Sequence, residues 1–112
     1  MTRRIIFYKN YFNEFYSGLD EKSQEKVEYV LYIIRHSEFI SGKFFKHLKG
    51  TNGLYEIRIQ IGNNIYRIFC FFDQVQLVVL LHGVQKKSQK IPKREIEKAE
   101  RSKLEYFKEK GG

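Results

Sequence analysis

From Leu54 onward, apolar and polar side chains alternate at every second residue, and this pattern most narrows the folds open to the chain. The alternation runs through residues 54–61, 64–72 and 75–82, and two turn-forming pairs interrupt it, Gly62-Asn63 and Asp73-Gln74. A period of two is typical of β-strands, and two-residue loops join antiparallel neighbours. The sequence therefore predicts an antiparallel meander of three strands.

Two-residue loops also determine which side chains share a face of this meander. They pair Ile61 with Asn64 and Phe72 with Val75. One face is then free of charge and should pack on helices; its members are Tyr55, Ile57, Ile59, Ile61, Tyr66, Ile68, Cys70, Phe72, Val75, Leu77, Val79 and Leu81. The other face mixes polar, basic and aromatic groups and is the predicted working surface. It consists of Glu56, Arg58, Gln60, Ile65, Arg67, Phe69, Phe71, Gln76, Val78, Leu80 and His82.

Arg58 and Arg67 are directly opposed across the first hairpin in this register. Opposed like charges are destabilising unless an acid or a bound anion lies between them. Glu56 is the neighbouring acid that could neutralise part of this charge. A three-residue turn at positions 62–64 would instead move Arg67 to the other face.

The segments around the meander predict one more strand and three helices. Residues 5–8 are β-branched and aromatic, as expected of a short strand. A short helix should begin near Tyr11, and Asp20 is a suitable N-cap for a second helix that ends near His36. Residues 37–53 are expected to form a connecting segment. A C-terminal helix should follow Pro92 and extend from Glu95 to about residue 108.

Together these elements predict a small α+β fold with one domain spanning residues 1–112. Its antiparallel β-sheet would consist of the N-terminal strand and the three-stranded meander. The N-terminal helices would pack on this sheet, and the C-terminal helix would complete the domain.

The charge of the chain indicates the kind of partner. There are 21 Lys plus Arg residues against 13 Asp plus Glu, which gives a formal net charge of +8. Such an excess favours a polyanionic partner, and nucleic acid is the first to consider. The only cysteine is Cys70, which excludes an intramolecular disulfide and fits a reducing compartment. We recognise no export signal and no apolar stretch of about 20 residues, so we expect a cytoplasmic protein with no membrane partner.

Several kinds of chemistry are poorly supported by the residues present. The histidines at positions 36, 47 and 82 are scattered, and no carboxylate pair has the spacing of metal ligands. The glycines form no phosphate-binding loop. Cys70 lies on the apolar face, where a thiol acts as a packing residue. We therefore expect neither a metal nor a cofactor.

Basic side chains around a sheet suffice to cleave RNA without a metal, because the substrate brings its own nucleophile. The 2′-hydroxyl attacks the adjacent phosphate, so the protein must remove one proton, donate another and stabilise the charge on phosphorus. The guanidinium groups of Arg58 and Arg67 suit the last task. Proton transfer suits a lysine in a crowded basic site or a histidine, and the candidates are Lys86, Lys87, Lys90 and His82. Each of these residues has a structural alternative, such as a solvated sheet arginine, an exposed basic loop or a hydrogen-bonded histidine.

Four sequence blocks occur in a characteristic order: FKHLKG at 45–50, GLYEIR at 53–58, YRIF at 66–69 and LLHGVQKKSQKIP at 80–92. The combination resembles the phage-derived HigB-like branch of the RelE/ParE toxin superfamily. This resemblance implies a RelE-like toxin of a type II toxin-antitoxin system, which acts in the ribosomal A site as a ribosome-dependent mRNA endoribonuclease, or mRNA interferase. It also implies a cognate HigA-like antitoxin with a helix-turn-helix domain.

The resemblance also implies positions for the site. Arg58 and Arg67 fall where the family has sheet residues that contact phosphate, and Lys86 or Lys87 where it has a basic group after the last strand. Glu56 stands where RelE proteins have a lysine; it could act as a base oriented by Arg58, or it could only balance charge. The predicted catalytic residues are therefore Arg58, Arg67, Lys86, Lys87, His82 and Glu56. The predicted RNA contacts are Lys46, Lys49, Lys90, Lys93 and Arg94.

Two other functions stay open at this point. The ParE side of the superfamily has a similar fold and inhibits DNA gyrase without cutting RNA. A basic RNA-binding module without toxicity would have the same charge. For a toxin, charge complementarity predicts that an acidic or disordered antitoxin segment covers the basic groove.

Overall fold

The computed structural model describes residues 2–86 and 90–111, with the side chain of Lys86 left out. Its elements, in chain order, are β1 (Arg4–Phe7), α1 (Tyr11–Ser17), α2 (Glu21–His36), β2 (Phe45–His47), β3 (Tyr55–Ile61), β4 (Asn64–Gln74), β5 (Leu77–Lys86) and α3 (Lys93–Glu109). The strands form one five-stranded sheet in the order β1-β5-β4-β3-β2. The small α+β fold predicted from the sequence is confirmed. No helix in the described ranges is both long and apolar enough to cross a bilayer.

Helix α2 begins where its sequence predicts. The carboxylate of Asp20 accepts a hydrogen bond of 2.9 Å from the backbone N–H of Ser23, which satisfies a donor that the first turn leaves free. Hydrogen bonds from the side chain of Ser23, the larger cause, and from its backbone N–H lower the pKa of Asp20. Val27, Val30 and Ile34 follow at helical spacing and are fully buried, so α2 packs its apolar stripe against the sheet.

The meander β3-β4-β5 is confirmed, and the structure adds two features to it. The predicted antiparallel pairing of the N-terminal strand is wrong: β1 pairs with β5 in parallel, so the sheet is mixed. Strand β2 lies within the segment predicted as a connection and pairs antiparallel with β3. It has only three residues, too few for an alternating pattern to be visible in the sequence.

The first hairpin has the predicted register. Ile61 pairs with Asn64, and Arg58 is opposite Arg67. The second hairpin does not: Phe72 is opposite Val78 rather than Val75, and the turn lies at Val75-Gln76. The reason is Asp73, which is predicted in the turn but accepts hydrogen bonds from Tyr106 of α3 and from Lys110, the residue after that helix. These contacts hold the end of β4 in the sheet.

The observed register differs from the predicted one by an odd number of residues. Every side chain from 77 to 81 therefore lies on the face opposite to the predicted one. Val78 and Leu80 pack towards α1 and α2, whereas Leu77, Val79 and Leu81 pack towards α3. A β-bulge then restores the predicted face for His82. Between the pairs Ile68–Gly83 and Cys70–Leu80, two residues of β5 oppose one of β4, and the His82 ring comes to 4.8 Å from that of Phe69.

Each face of the sheet has its own apolar cluster. The first joins α1 and α2 to the sheet and includes Phe12, Val30, Ile57, Ile68 and Cys70. The second lies under α3 and includes Leu54, Phe69, Phe71, Val79 and Ala99. The predicted working face is therefore largely covered by α3, and Glu56, Arg67 and His82 on it are buried.

Gly83 allows α1 to approach β5 closely, which leads to a first prediction. A Cβ at this position would lie 2.6 Å from ring carbons of Phe15, so Gly83→Ala must displace a packed ring. We expect the free energy of unfolding to fall by about 1–3 kcal/mol, the usual cost of overpacking. Urea unfolding followed by circular dichroism measures it.

Gly42→Ala is the matched control. Nothing lies within 4 Å of a Cβ there, so its stability should stay within about 0.5 kcal/mol of wild type. Equal stability of the two variants would contradict the close approach.

Candidate active site

A shallow basic groove opens on the α3 side of the sheet. It is lined by Lys46, His47, Leu48, Lys49, Glu56, Arg67, Lys90, Ile91 and Ile96. The elements β2, β3, β4 and the start of α3 each contribute to this lining. The groove thus brings together two predicted catalytic residues and three predicted RNA contacts.

The Arg67–Glu56 ion pair forms part of this groove lining. An Nη atom of Arg67 donates to Glu56 Oε2 at 2.5 Å, and the two side chains are only 8% and 3% exposed. Glu56, the acid predicted to neutralise part of the charge of the opposed arginines, therefore pairs with Arg67. The hypothesis of a Glu56 base oriented by Arg58 is wrong in this respect, because Arg67 holds the carboxylate. The Nε atom of Arg67 is buried and has no hydrogen-bond partner among the described residues.

Arg58 has different surroundings from Arg67, although their backbones are directly opposed. It lies in a second pocket with Lys26, Lys43 and Gln60. Its guanidinium forms no ion pair with any carboxylate in the described ranges. The structure therefore separates the two arginines that the sequence predicts in one site.

His82 is buried beside the groove and is absent from its lining. Its Nε2 lies 3.0 Å from Glu95 Oε1 at the start of α3. Burial, the largest cause, and the charge of Lys98 lower the pKa of His82, whereas the hydrogen bond to Glu95 raises it, and the net shift is downward. The ring is thus neutral near pH 7. With Nε2–H donated to Glu95, the buried Nδ1 has no partner in the part of the chain that is described.

The remaining predicted residues fall into two groups. Lys93 and Arg94 are exposed in the first turn of α3, outside the groove lining, and Arg94 Nε lies 3.8 Å from Glu95. Lys87 and the side chain of Lys86 lie outside the described residues. The backbone of Lys86 ends β5, opposite Ile65.

Two residues of this region are absent from the site predicted from the sequence. Glu95 is 13 residues from His82, and no spacing rule connects a strand end to a helix start across a loop. His47 is not among the site residues predicted from the sequence, yet it lines the groove. Its position after Phe45 and Lys46 becomes informative only once β2 is known.

The described residues show no alternative centre for metal or thiol chemistry. Within residues 2–86 and 90–111, no three His, Cys, Asp or Glu side chains converge as metal ligands do. Cys70 is fully buried, and burial raises the pKa of its thiol far above the ordinary value. A thiolate nucleophile is therefore disfavoured at this position.

Comparison with known proteins agrees with the fold described above. The family model described as "Phage derived protein Gp49-like" matches residues 14–103. Among solved structures, the fold is similar to a chain of the archaeal RelE-RelB complex from Pyrococcus horikoshii OT3, with 20% identity and a TM-score of 0.55 over 74% of this chain and 93% of that one. No curated protein sequence matches. At this identity the structural likeness concerns the fold.

The buried ion pair should be costly to break. Glu56→Leu would leave the Arg67 charge buried without a partner, and we expect a loss of about 3–5 kcal/mol in the free energy of unfolding. The double variant Glu56→Leu/Arg67→Met replaces both charges by apolar groups and should regain most of that loss. Urea denaturation of the three proteins measures the difference. A double variant no more stable than the single one would contradict this account of the pair.

His82 should make the stability of the protein depend on pH. Its folded pKa lies below the unfolded value of about 6.5, so its stabilising contribution is complete above that pH and is lost as the pH falls below it. We expect NMR titration of the ring to give a pKa below 6.5, and His82→Gln to reduce the loss of stability between about pH 7 and pH 5. A ring pKa at or above the ordinary value would contradict the prediction.

Proposed function

Because the chain belongs to the phage-derived Gp49-like family and has a RelE-like fold, we propose that it is the toxin of a type II toxin-antitoxin system. Its activity is the metal-independent cleavage of mRNA on the ribosome. The 2′-hydroxyl of the substrate attacks the neighbouring phosphate, and the protein supplies proton transfer and charge stabilisation.

The observation that carries this proposal is the environment of Arg67. Its guanidinium, whose Nε has no hydrogen-bond partner among the described residues, lines a groove that also includes Lys46, Lys49 and Lys90. Guanidinium groups bind phosphate oxygens through several N–H donors and keep their charge at all physiological pH values. Arg67 therefore suits the charge that develops at the scissile phosphate, and the lysines suit the flanking backbone.

The other residues receive roles from their contacts. Glu56 acts as a positioning residue, since its carboxylate already accepts from Arg67. His82 is neutral, buried and bonded to Glu95, which favours a role in fixing α3 beside the groove. Proton transfer then falls to the basic residues at the end of β5 and after it, namely Lys86, Lys87 and Lys90. Lys93 and Arg94 would contact RNA outside the groove.

The partner of this toxin would be an antitoxin encoded with it. The similar archaeal protein was crystallised as a RelE-RelB complex, and a HigA-like helix-turn-helix protein is the expected counterpart here. An acidic segment of such a protein would complement the lysines of the groove. The ribosome and mRNA are its proposed targets in the cytoplasm.

Replacement of Arg67 by lysine tests the proposal. Arg67→Lys keeps a positive charge beside Glu56 but removes the forked donors, so we expect mRNA cleavage to fall by about 100-fold or more, as for loss of an oxyanion-stabilising donor. The measurement is a short induced pulse in bacteria, followed by mapping of new mRNA 5′ ends in translated and untranslated regions. Thermal unfolding verifies that the variant is folded.

Arg101→Lys is the matched control, because Arg101 is exposed on α3. It should cleave like wild type, with cuts confined to translated regions. Unchanged cleavage by Arg67→Lys would refute the role of Arg67. Growth arrest without new 5′ ends would refute the nuclease and favour inhibition of DNA gyrase, and harmless expression would favour a non-toxic RNA-binding module.

A further inference from the structure

A second basic pocket lies where β3 extends past the start of β2. Strand β2 begins with Phe45 opposite Ile57, and the backbone N–H of Arg58 donates to the carbonyl of Phe44 just before it. The residues of β3 after Arg58 have no strand beside them at this edge in the described ranges. The pocket there is lined by Lys26, Lys43, Phe44, Arg58, Gln60 and Ile65. None of these residues lines the groove that contains Arg67.

The three cations of this pocket have no acidic partner in the part of the chain that the structure describes. No carboxylate lines it, and none of its cations forms an ion pair within residues 2–86 and 90–111. The two lysines lie near aromatic rings instead: Lys26 Nζ is 5.5 Å from the centroid of Tyr29, and Lys43 Nζ is 5.8 Å from that of Phe44. Rings attract a cation without cancelling its charge.

Neutralisation of Arg67 by Glu56 leaves Arg58 as the uncompensated member of the opposed pair. Arg58 and Lys26 are both partly buried, so their charges are screened less than those of fully exposed side chains. Such an arrangement is unfavourable when empty and becomes favourable when an anion lies between the cations. The pocket therefore has the electrostatics of an anion site.

We propose that this pocket binds a phosphodiester group of single-stranded RNA, separate from the phosphate that Arg67 would hold. Arg58 supplies forked donors, the two lysines supply charge, and the Gln60 amide supplies a further N–H. Phe44 and Ile65 form an apolar wall against which a sugar can pack. The pocket shares no lining residue with the groove of Arg67, so the two arginines would contact different phosphates of the RNA. This inference rests on the proposed function for the identity of the anion.

The test is binding of a short 2′-O-methyl oligoribonucleotide, which cannot supply the attacking hydroxyl, to the full chain at several salt concentrations. We expect Lys26→Gln and Lys43→Gln each to weaken binding at low salt about two- to fivefold, as for one partly exposed charged contact. Each should also reduce the slope of log affinity against log salt by about 0.7, the value for one phosphate on a single strand.

Lys22→Gln is the matched control, because it removes the same charge at an exposed position of α2, one turn before Lys26. It should leave both quantities at the wild-type values. Equal effects of Lys22→Gln and Lys26→Gln, unchanged binding in the pocket variants, or no binding of the probe by wild type at low salt would each overturn the proposal. Thermal unfolding of the variants excludes a folding defect.

The binding result is separable from the proposed nuclease activity. If the pocket variants lose RNA affinity but wild type cuts no mRNA in cells, the phosphate site stands and the nuclease proposal fails. If wild type cuts mRNA through Arg67 but the pocket variants bind RNA like Lys22→Gln, the nuclease stands and the pocket proposal fails.

Discussion

The buried ion pair between Arg67 and Glu56 is the interaction on which the arrangement of this sheet face depends. Two arginines are opposed on the central strands, and a single acid beside them can neutralise only one. Because Glu56 pairs with Arg67, the two charges can be buried beneath α3. Burial of an unpaired guanidinium would carry a large desolvation cost. Arg58 has no carboxylate partner in the described ranges and lines a pocket that also includes Lys26 of α2. The pairing of Glu56 with Arg67 therefore leaves two electrostatically different sites.

Helix α3 connects this electrostatic arrangement to the rest of the molecule. It is held at its start by Glu95 on His82 and near its end by Tyr106 and Lys110 on Asp73. Between these ends it covers the second apolar cluster, which includes Phe69 and Phe71. The groove wall formed by Ile91 and Ile96 therefore has a position set by polar contacts at both ends of the helix. These contacts explain how α3 borders a defined site.

The sequence predicts those parts of the structure that depend on local rules. Asp20 caps α2 and the Gly62-Asn63 turn sets the first hairpin, because each acts on its immediate neighbours. The second turn fails because Asp73 is held by a helix more than 30 residues later in the chain. The contact between Glu95 and His82 could not be predicted for the same reason, because it joins a strand to a helix across a loop. Arg67 and His82 were correctly placed on one face, but for His82 two departures cancelled: an odd register shift and a β-bulge. The different surroundings of Arg58 and Arg67 follow from tertiary packing alone.

The burial of Cys70 has a practical consequence for labelling. The only thiol of the chain is enclosed between β-strands and helices, and its raised pKa keeps it from reacting with maleimides or iodoacetamides while the protein is folded. The native chain is thus a silent background for cysteine chemistry. A single cysteine introduced at an exposed position would carry one fluorophore or spin label, and reaction at Cys70 itself would report unfolding of the core.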